Sequence, residues 1–210
     1  VELASGGGAD AGALAEMEGA VERQPRDLAA RHRLAVALME AGRPAPNDHA
    51  HAGTLSFEMT IGRQRLVGNM GAAPSHQPAW RQALKHTAAH STVTAGNTDS
   101  LPLSVTSERQ EDQGAVWVNA SHDGYLASHG LMHKRRLHLD AQGTTLRGED
   151  SLEGKEGVEV AIRFHLDPQV QAALSGDAGA VLLKLGDGAG WRFRAKGAAI
   201  EMEDSAFKSG

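Results

Sequence analysis

The stretch from Leu131 to Glu149 reads LMHKRRLHL, then DAQG, then TTLRGE. Two short runs separated by residues that favour turns are typical of neighbouring strands in an antiparallel sheet. The same pattern recurs along the chain beyond Pro46, and its period-two alternation is clearest in TLSFEMTI. The predicted strands outside the opening stretch are Thr54–Ile61, Arg65–Val67, Ser91–Thr94, Leu103–Thr106, Ala115–Ala120, Val158–Leu166, Ala180–Leu185, Trp191–Ala195 and Ala198–Met202.

Strands at this spacing, without helices between them, predict a mainly β fold built as an antiparallel β-sandwich. We assign the sandwich to residues 47–210, and the one helical interruption that we expect is Gln77–His86. The 25 glycines of the chain and its low aromatic content agree with a sheet that has many turns.

The first 46 residues differ from the rest in period and composition. Residues 1–10 are small and polar and are predicted to be a disordered start, whereas residues 11–43 have a helical period and predict a hairpin of two helices. Within it, PRDLAARHRLAVALMEAGR resembles the end of one tetratricopeptide repeat and the first helix of the next. Because such repeats stabilise one another by stacking, we expect this single hairpin either to dock on the sheet or to remain mobile.

The repeat breaks off after Arg43, and the chain begins with Val rather than Met. We therefore interpret the chain as a fragment, a processed form, or the product of a fused or truncated gene.

Composition narrows the classes of partner. A net charge of −5 and a pI near 6.1 give no basic footprint, so neither nucleic acid nor an anionic membrane is an expected partner. No apolar run approaches the roughly 18 residues of a spanning helix, and the first residues lack the pattern of a secretory signal. The absence of Cys excludes disulfides and thiolate metal sites.

Among residue types that can carry chemistry, histidine is unusually frequent: the chain has eleven, and ten of them lie between His49 and His165. His49 and His51 precede the first predicted strand, and side chains at i and i+2 of an extended segment point the same way. They could converge on a metal or an anionic ligand, although two histidines in a loop are commonly only solvated. His90 enters a strand, where the structural alternative is a core-edge histidine bound to a backbone carbonyl.

Three further segments carry charged or ionisable side chains. His122-Asp123-Gly124-Tyr125 precedes the basic run Lys134-Arg135-Arg136. This run is either a solvated strand face or a grip for carboxylates and sulfates on a sugar chain. Arg163 and His165 share one face of a later predicted strand.

Taken together, these segments resemble the C-terminal sheet domain of the heparinase II/III family of polysaccharide lyases over residues 47–210. The resemblance implies β-elimination of acidic, uronate-containing polysaccharide: the carboxylate is neutralised, the hydrogen on carbon 5 is abstracted, and the departing oxygen is protonated. It rests on HAHAGTLSFEM, RLVGNMG, TAAHST, HDGY, GLMHKRRL, LRGEDSLEG, IRFHLDP and GWRFRA.

The resemblance also suggests roles for single residues. His49 and His51 would be catalytic, neutralising the carboxylate or transferring the proton. The residues expected to bind the acidic polysaccharide are His90, Arg135, Arg136 and Tyr125.

A divalent metal held by His51 and His90 is the one cofactor that the resemblance implies. Metal-binding members of the family have an acidic residue at the end of the second strand, where this chain has Asn69. A neutral amide is a poorer ligand for a divalent cation than a carboxylate, so we do not expect tightly held zinc.

Three interpretations stay open. Family members have a helical toroid domain that carries a catalytic tyrosine. Residues 1–46 cannot form such a toroid, and Tyr125 does not correspond to the toroid's tyrosine. The leading interpretation is thus the C-terminal domain of a lyase that is incomplete without a toroid. The alternatives are a non-catalytic carbohydrate-binding or scaffold module, and an interaction protein that binds its partner through the helical hairpin. The family usually works in the periplasm or cell envelope, which is the location that the resemblance implies.

Overall fold

The computed structural model describes residues 51–74, 76–176 and 179–208. The predicted disordered start, the predicted helical hairpin over residues 11–43 and His49 lie outside the described residues, so their predictions stay untested. The strands are β1 (Met59–Ile61), β2 (Gln64–Gly68), β3 (Val93–Ala95), β4 (Val105–Asp112), β5 (Ala115–Tyr125), β6 (Leu131–Leu139), β7 (Leu146–Gly154), β8 (Val160–Ile162), β9 (His165–Leu166), β10 (Gln171–Leu174), β11 (Val181–Lys184) and β12 (Gly190–Phe193).

Helices are short and few in the described part of the chain. They are α1 (Pro78–Ala83), α2 (Leu126–His129) and a 3-10 helix at Thr87–Ala89. Every pairing between the named strands is antiparallel. The predicted mainly β, antiparallel class is therefore confirmed. None of the helices in the described residues is long and apolar enough to cross a membrane.

The chain divides into two compact units, and the first contains Ser100–Val158 with the described residue His51. The sheet formed by the described residues of this unit has the strand order β4-β5-β6-β7, so consecutive strands are neighbours. Gln113 and Gly114 join β4 to β5 with φ values of +49° and +85°. A two-residue loop with two positive φ angles matches the right-handed twist of a hairpin, which explains the glycine here.

The second unit contains Ala52–Asp99 and the residues from Glu159 onward. It has two three-stranded sheets, β1-β2-β9 and β10-β11-β12, and the strand pair β3-β8. Leu66 and Val67 of β2 form one buried cluster with Val181, Leu183 and Leu185 from the β11 region. Sheet thus packs against sheet in this unit, as in a sandwich.

Several strand boundaries differ from the prediction. The predicted strand Thr54–Ile61 begins only at Met59, because Ser56 N–H donates to the Gly53 carbonyl in a turn that places Leu55 at φ +55°. Val158–Leu166 is split into β8 and β9, and β10 was not predicted. The predicted strand Ala198–Met202 is wrong: Ile200 packs on the core, but the segment pairs with no strand. The apolar residues of this segment therefore indicate burial against the core and not pairing with another strand.

Candidate functional site

One face of the four-stranded sheet holds a buried array of polar side chains. The ring nitrogen Nδ1 of His122 accepts the Gly124 N–H at 2.9 Å, and its Nε2 lies 2.9 Å from Nδ1 of His133. Nε2 of His133 lies 2.7 Å from Asp150 Oδ1. Arg135 closes the array, because its guanidinium binds both oxygens of Asp150, at 2.7 and 3.0 Å. We call these four side chains, His122, His133, Arg135 and Asp150, the inner array.

The hydrogen bonds fix the proton positions in the inner array. Because Nδ1 of His122 accepts a backbone N–H, the proton of this imidazole sits on Nε2 and is donated to His133. His133 must then donate its own Nε2 proton to Asp150. Burial first, and then the electrostatic interactions with His133 and Arg135, lower the pKa of His122 to about 4, against an opposing contribution from Asp123. Burial alone would raise the pKa of Asp150, but hydrogen bonds from His133 and Arg135 outweigh it and lower that pKa.

Tyr125 and Gly124 enclose this array. Tyr125 is fully buried, and its ring centre lies 5.5 Å from that of His122. A Cβ at position 124 would lie 2.8 Å from Nδ1 of His122, so only glycine lets the backbone approach the imidazole. Tyr125 and Arg135, both predicted to bind sugar, thus lie inside the fold. Their assignment as sugar contacts stays a prediction, and their burial argues against it.

The opposite face of the same sheet carries a groove of about 680 Å³. The register places Gln110, Trp117, His138 and Arg147 side by side across the four strands. The neighbouring row across β5, β6 and β7 is Asn119, Arg136 and Glu149. Directly paired residues on antiparallel strands point to the same face, so both rows line one surface. We call this surface the outer groove; Asp112 also lines it.

The outer groove combines an aromatic platform with charges. The rings of Trp117 and His138 are stacked, with centroids 4.7 Å apart and planes at 28°. Arg136 and Glu149 form a loose pair at 3.7 Å, with 69% and 64% of their side chains exposed. Arg147 has no ion-pair partner among the described residues. Flat rings that present an apolar face beside polar groups are suited to sugar rings, and guanidinium groups are suited to their carboxylates.

The predicted metal site involves residues with structural contacts. The amide oxygen of Asn69 accepts the Ser91 N–H at 2.9 Å, and its nitrogen donates to Glu58 at 3.3 Å. His90 is buried, and a Cβ on Gly53 would lie 2.7 Å from its ring. No group of three or more His, Asp or Glu side chains within residues 51–74, 76–176 and 179–208 is arranged to hold a metal ion. The divalent metal at His51 and His90 therefore stays a prediction, and no step below depends on one.

His165 and Arg163 have structural contacts. Nε2 of His165 lies 2.9 Å from the Ala88 carbonyl oxygen, and Arg163 donates to Thr94 Oγ1 at 2.5 Å. Burial lowers the pKa of His165, partly offset by the bond to Ala88, with Arg163 lowering it further. His165 thus joins β9 to the 3-10 helix at Thr87–Ala89, and Arg163 contacts β3 within the same unit.

Of the predicted site residues, the structure places Arg136 in the outer groove, Arg135 and Tyr125 on the inner side, and His51 at an exposed position. It brings Arg136 together with Trp117, His138 and Arg147, three residues that the sequence analysis missed. The signal was present: Val116 and Val118 alternate with Trp117 and Asn119, which assigns the tryptophan to the polar face.

The fold of this domain recurs in a known protein family. The family model described as "Heparinase II/III-like, C-terminal" matches residues 28–210, and the chain belongs to this family. The match begins within the segment predicted as a helical hairpin.

Individual proteins are similar to this chain over part of their own length. FtsZ-localized protein C of Caulobacter vibrioides is 33% identical over 187 residues, covering 75% of this chain and 32% of that protein. The heparan sulfate lyase HepC of Pedobacter heparinus matches with a TM-score of 0.58 at 13% identity, over 84% of this chain and 33% of HepC. A heparinase III gene product matches with a TM-score of 0.62 at 15% identity, over 90% and 35%. The two solved structures show the shared fold, and this chain spans about a third of each of these proteins.

Proposed function

We propose that this domain binds acidic, uronate-containing polysaccharide in the outer groove and does not cleave it on its own. The observation that carries the proposal is the stacked pair Trp117–His138 beside Arg136 and Arg147 on one exposed sheet face. A sugar ring lying on the platform would place its carboxylate within reach of a guanidinium.

Burial supports the non-catalytic part of the proposal. Arg135 is committed to Asp150, Tyr125 is fully buried, and Asn69 is fixed by Ser91. A proton-transfer residue must reach the hydrogen that it abstracts, and the buried side chains of Arg135 and Tyr125 do not reach the surface. The names of two similar proteins bear on the two halves of the proposal. One similar structure is a heparan sulfate lyase by name, whereas the relative from Caulobacter is named for a cellular position rather than a reaction.

The test is a binding titration with polygalacturonate and alginate oligosaccharides, comparing the unchanged chain with Trp117→Ala. We expect the substitution to lower affinity at least about tenfold, because the aromatic anchor of a binding site carries a large share of its energy. Trp80→Ala is the matched control, since Trp80 is exposed to the same degree, 38% against 36%, but lies in the other unit. Equal affinity of all three proteins would contradict the proposal.

The second candidate function is β-elimination itself, with His51 as the proton-transfer or carboxylate-neutralising residue. Family membership and the exposed position of His51 favour it. The test follows the ultraviolet absorbance of unsaturated uronate ends while the chain is incubated with a panel of acidic polysaccharides.

Absorbance growth that disappears in His51→Ala and persists in His76→Ala, another exposed histidine, would support this lyase function. His49→Ala tests the other predicted catalytic histidine in the same assay. Absence of growth on every substrate, with an intact circular dichroism spectrum, would leave binding as the function.

A further inference from the structure

We propose that Glu149 and Asp112 make the outer groove selective for polysaccharides with one carboxylate per sugar over densely sulfated ones. This inference rests on the proposed function, because it concerns the ligand of the same groove. Its starting point is the charge balance: the arginines Arg136 and Arg147 line the groove together with the carboxylates of Asp112 and Glu149.

On β6 and β7 the two arginines occupy diagonal positions, and His138 and Glu149 occupy the other two positions of the same four. Arg147 is paired in register with His138, and Glu149 is paired with Arg136. The two arginines are therefore diagonal neighbours, whose Cβ atoms lie about 7–8 Å apart in such a sheet. Arg147 is thus the cross-strand neighbour of His138, and Arg136 is the diagonal neighbour of Trp117.

The ion pair decides how much positive charge is left for the ligand. Glu149 offsets Arg136 at 3.7 Å, whereas Arg147 makes no ion pair within the described part of the chain. The two arginines and two carboxylates of the groove balance in net charge, and Arg147 is the guanidinium that remains without an ion pair among the described residues to meet one carboxylate. A densely sulfated sugar would instead bring several negative charges close to Glu149 and Asp112, and like charges at an interface suppress binding.

The sheet supplies a matched control on the same face. Lys134 of β6 and Glu153 of β7 form an exposed pair at 2.7 Å, displaced along the same strands and outside the residues that line the groove. Glu153→Gln removes the same charge as Glu149→Gln, but at a distance from the platform.

The experiment measures the affinities of size-matched polygalacturonate and heparin oligosaccharides at one fixed salt concentration. We expect the unchanged chain to prefer polygalacturonate, and Glu149→Gln to raise heparin affinity about tenfold while changing polygalacturonate affinity little. Asp112→Asn should act in the same direction, and Glu153→Gln should leave both affinities unchanged.

The outcomes separate this inference from the proposed function. A preference for heparin in the unchanged chain, or an unaltered ratio in Glu149→Gln, would overturn the selectivity while leaving sugar binding in place. Binding to neither oligosaccharide by the folded chain would overturn both proposals. An equal gain of heparin affinity in Glu153→Gln would show that overall charge, rather than the groove, sets the preference.

Discussion

The two faces of the four-stranded sheet use the same residue types for opposite purposes. On the inner side, Arg135 is 3% exposed and binds Asp150 with two hydrogen bonds. On the outer side, Arg136 is 69% exposed and lies 3.7 Å from Glu149. The two arginines are adjacent in sequence, and the pleat of the strand directs one inward and the other outward.

This contrast shows why consecutive basic residues in a strand do not form one positively charged surface patch. Lys134-Arg135-Arg136 looks like one cationic segment, but only Lys134 and Arg136 share a face. The buried member belongs to a network whose geometry is fixed, and the exposed members are available to a ligand. The faces should therefore respond differently to substitution: the inner one through stability, and the outer one through affinity.

The largest expected effect is on the inner side. Asp150→Ala removes the carboxylate that Arg135 and His133 share, and a buried charge that loses its partner costs about 3–5 kcal/mol in the free energy of unfolding. Urea unfolding measures this loss. Glu153→Ala, on the outer side of the same strand, should cost less than about 0.5 kcal/mol. Similar losses of unfolding free energy in both variants would contradict the expectation that the inner face acts through stability and the outer face does not.

A second effect is the pH dependence of the inner array. The pKa of His122 is about 4 in the folded chain and 6.5 ordinarily, so between these values the unfolded chain binds a proton that the folded chain does not. Stability is therefore full above pH 6.5 and falls by up to about 3 kcal/mol as pH falls toward 4. The lowered pKa of Asp150 adds a further loss below that range.

Urea unfolding at several pH values checks this expectation. The lowered pKa of His165 contributes a slope of the same sign, so the wild-type curve alone does not isolate His122. His122→Gln should flatten the curve between pH 6.5 and 4, whereas His138→Gln, on the outer side, should leave it as steep as in the unchanged chain. A wild-type curve that is flat over this range would contradict the role assigned to His122.

The sequence predicted the β class and most strands because alternation and turn residues are local signals. β6 was predicted with its observed bounds, Leu131–Leu139. Pairing is not local, so the sequence did not show that Ile200 packs without pairing, or that His133 meets His122 and Asp150. The outer groove was missed for the same reason, since Trp117, His138 and Arg147 become neighbours only through the register of three strands.

On the outer side, the expected effect is on affinity alone. Arg136→Gln removes a guanidinium from the groove and should lower affinity for polygalacturonate about threefold to fivefold, because Glu149 already offsets part of its charge. The free energy of unfolding should change by less than about 0.5 kcal/mol. Arg135→Gln should give the reverse pattern, with a large loss of stability. A large stability loss in Arg136→Gln would show that the exposed pair is structural.

The smallest expected effect is at the exposed pair Lys134–Glu153, which tests whether the outer groove is a site or merely a charged face. The ion pair is short, at 2.7 Å, yet both side chains are about half exposed. Such pairs contribute about 0–1 kcal/mol, because solvent screens the attraction and ordering two long side chains opposes it. Lys134→Gln should therefore change neither stability nor sugar affinity measurably. Because Lys134 and Arg136 share a strand, a face and a charge, an equal loss of affinity in Lys134→Gln would mean that binding follows net charge and not the Trp117 platform.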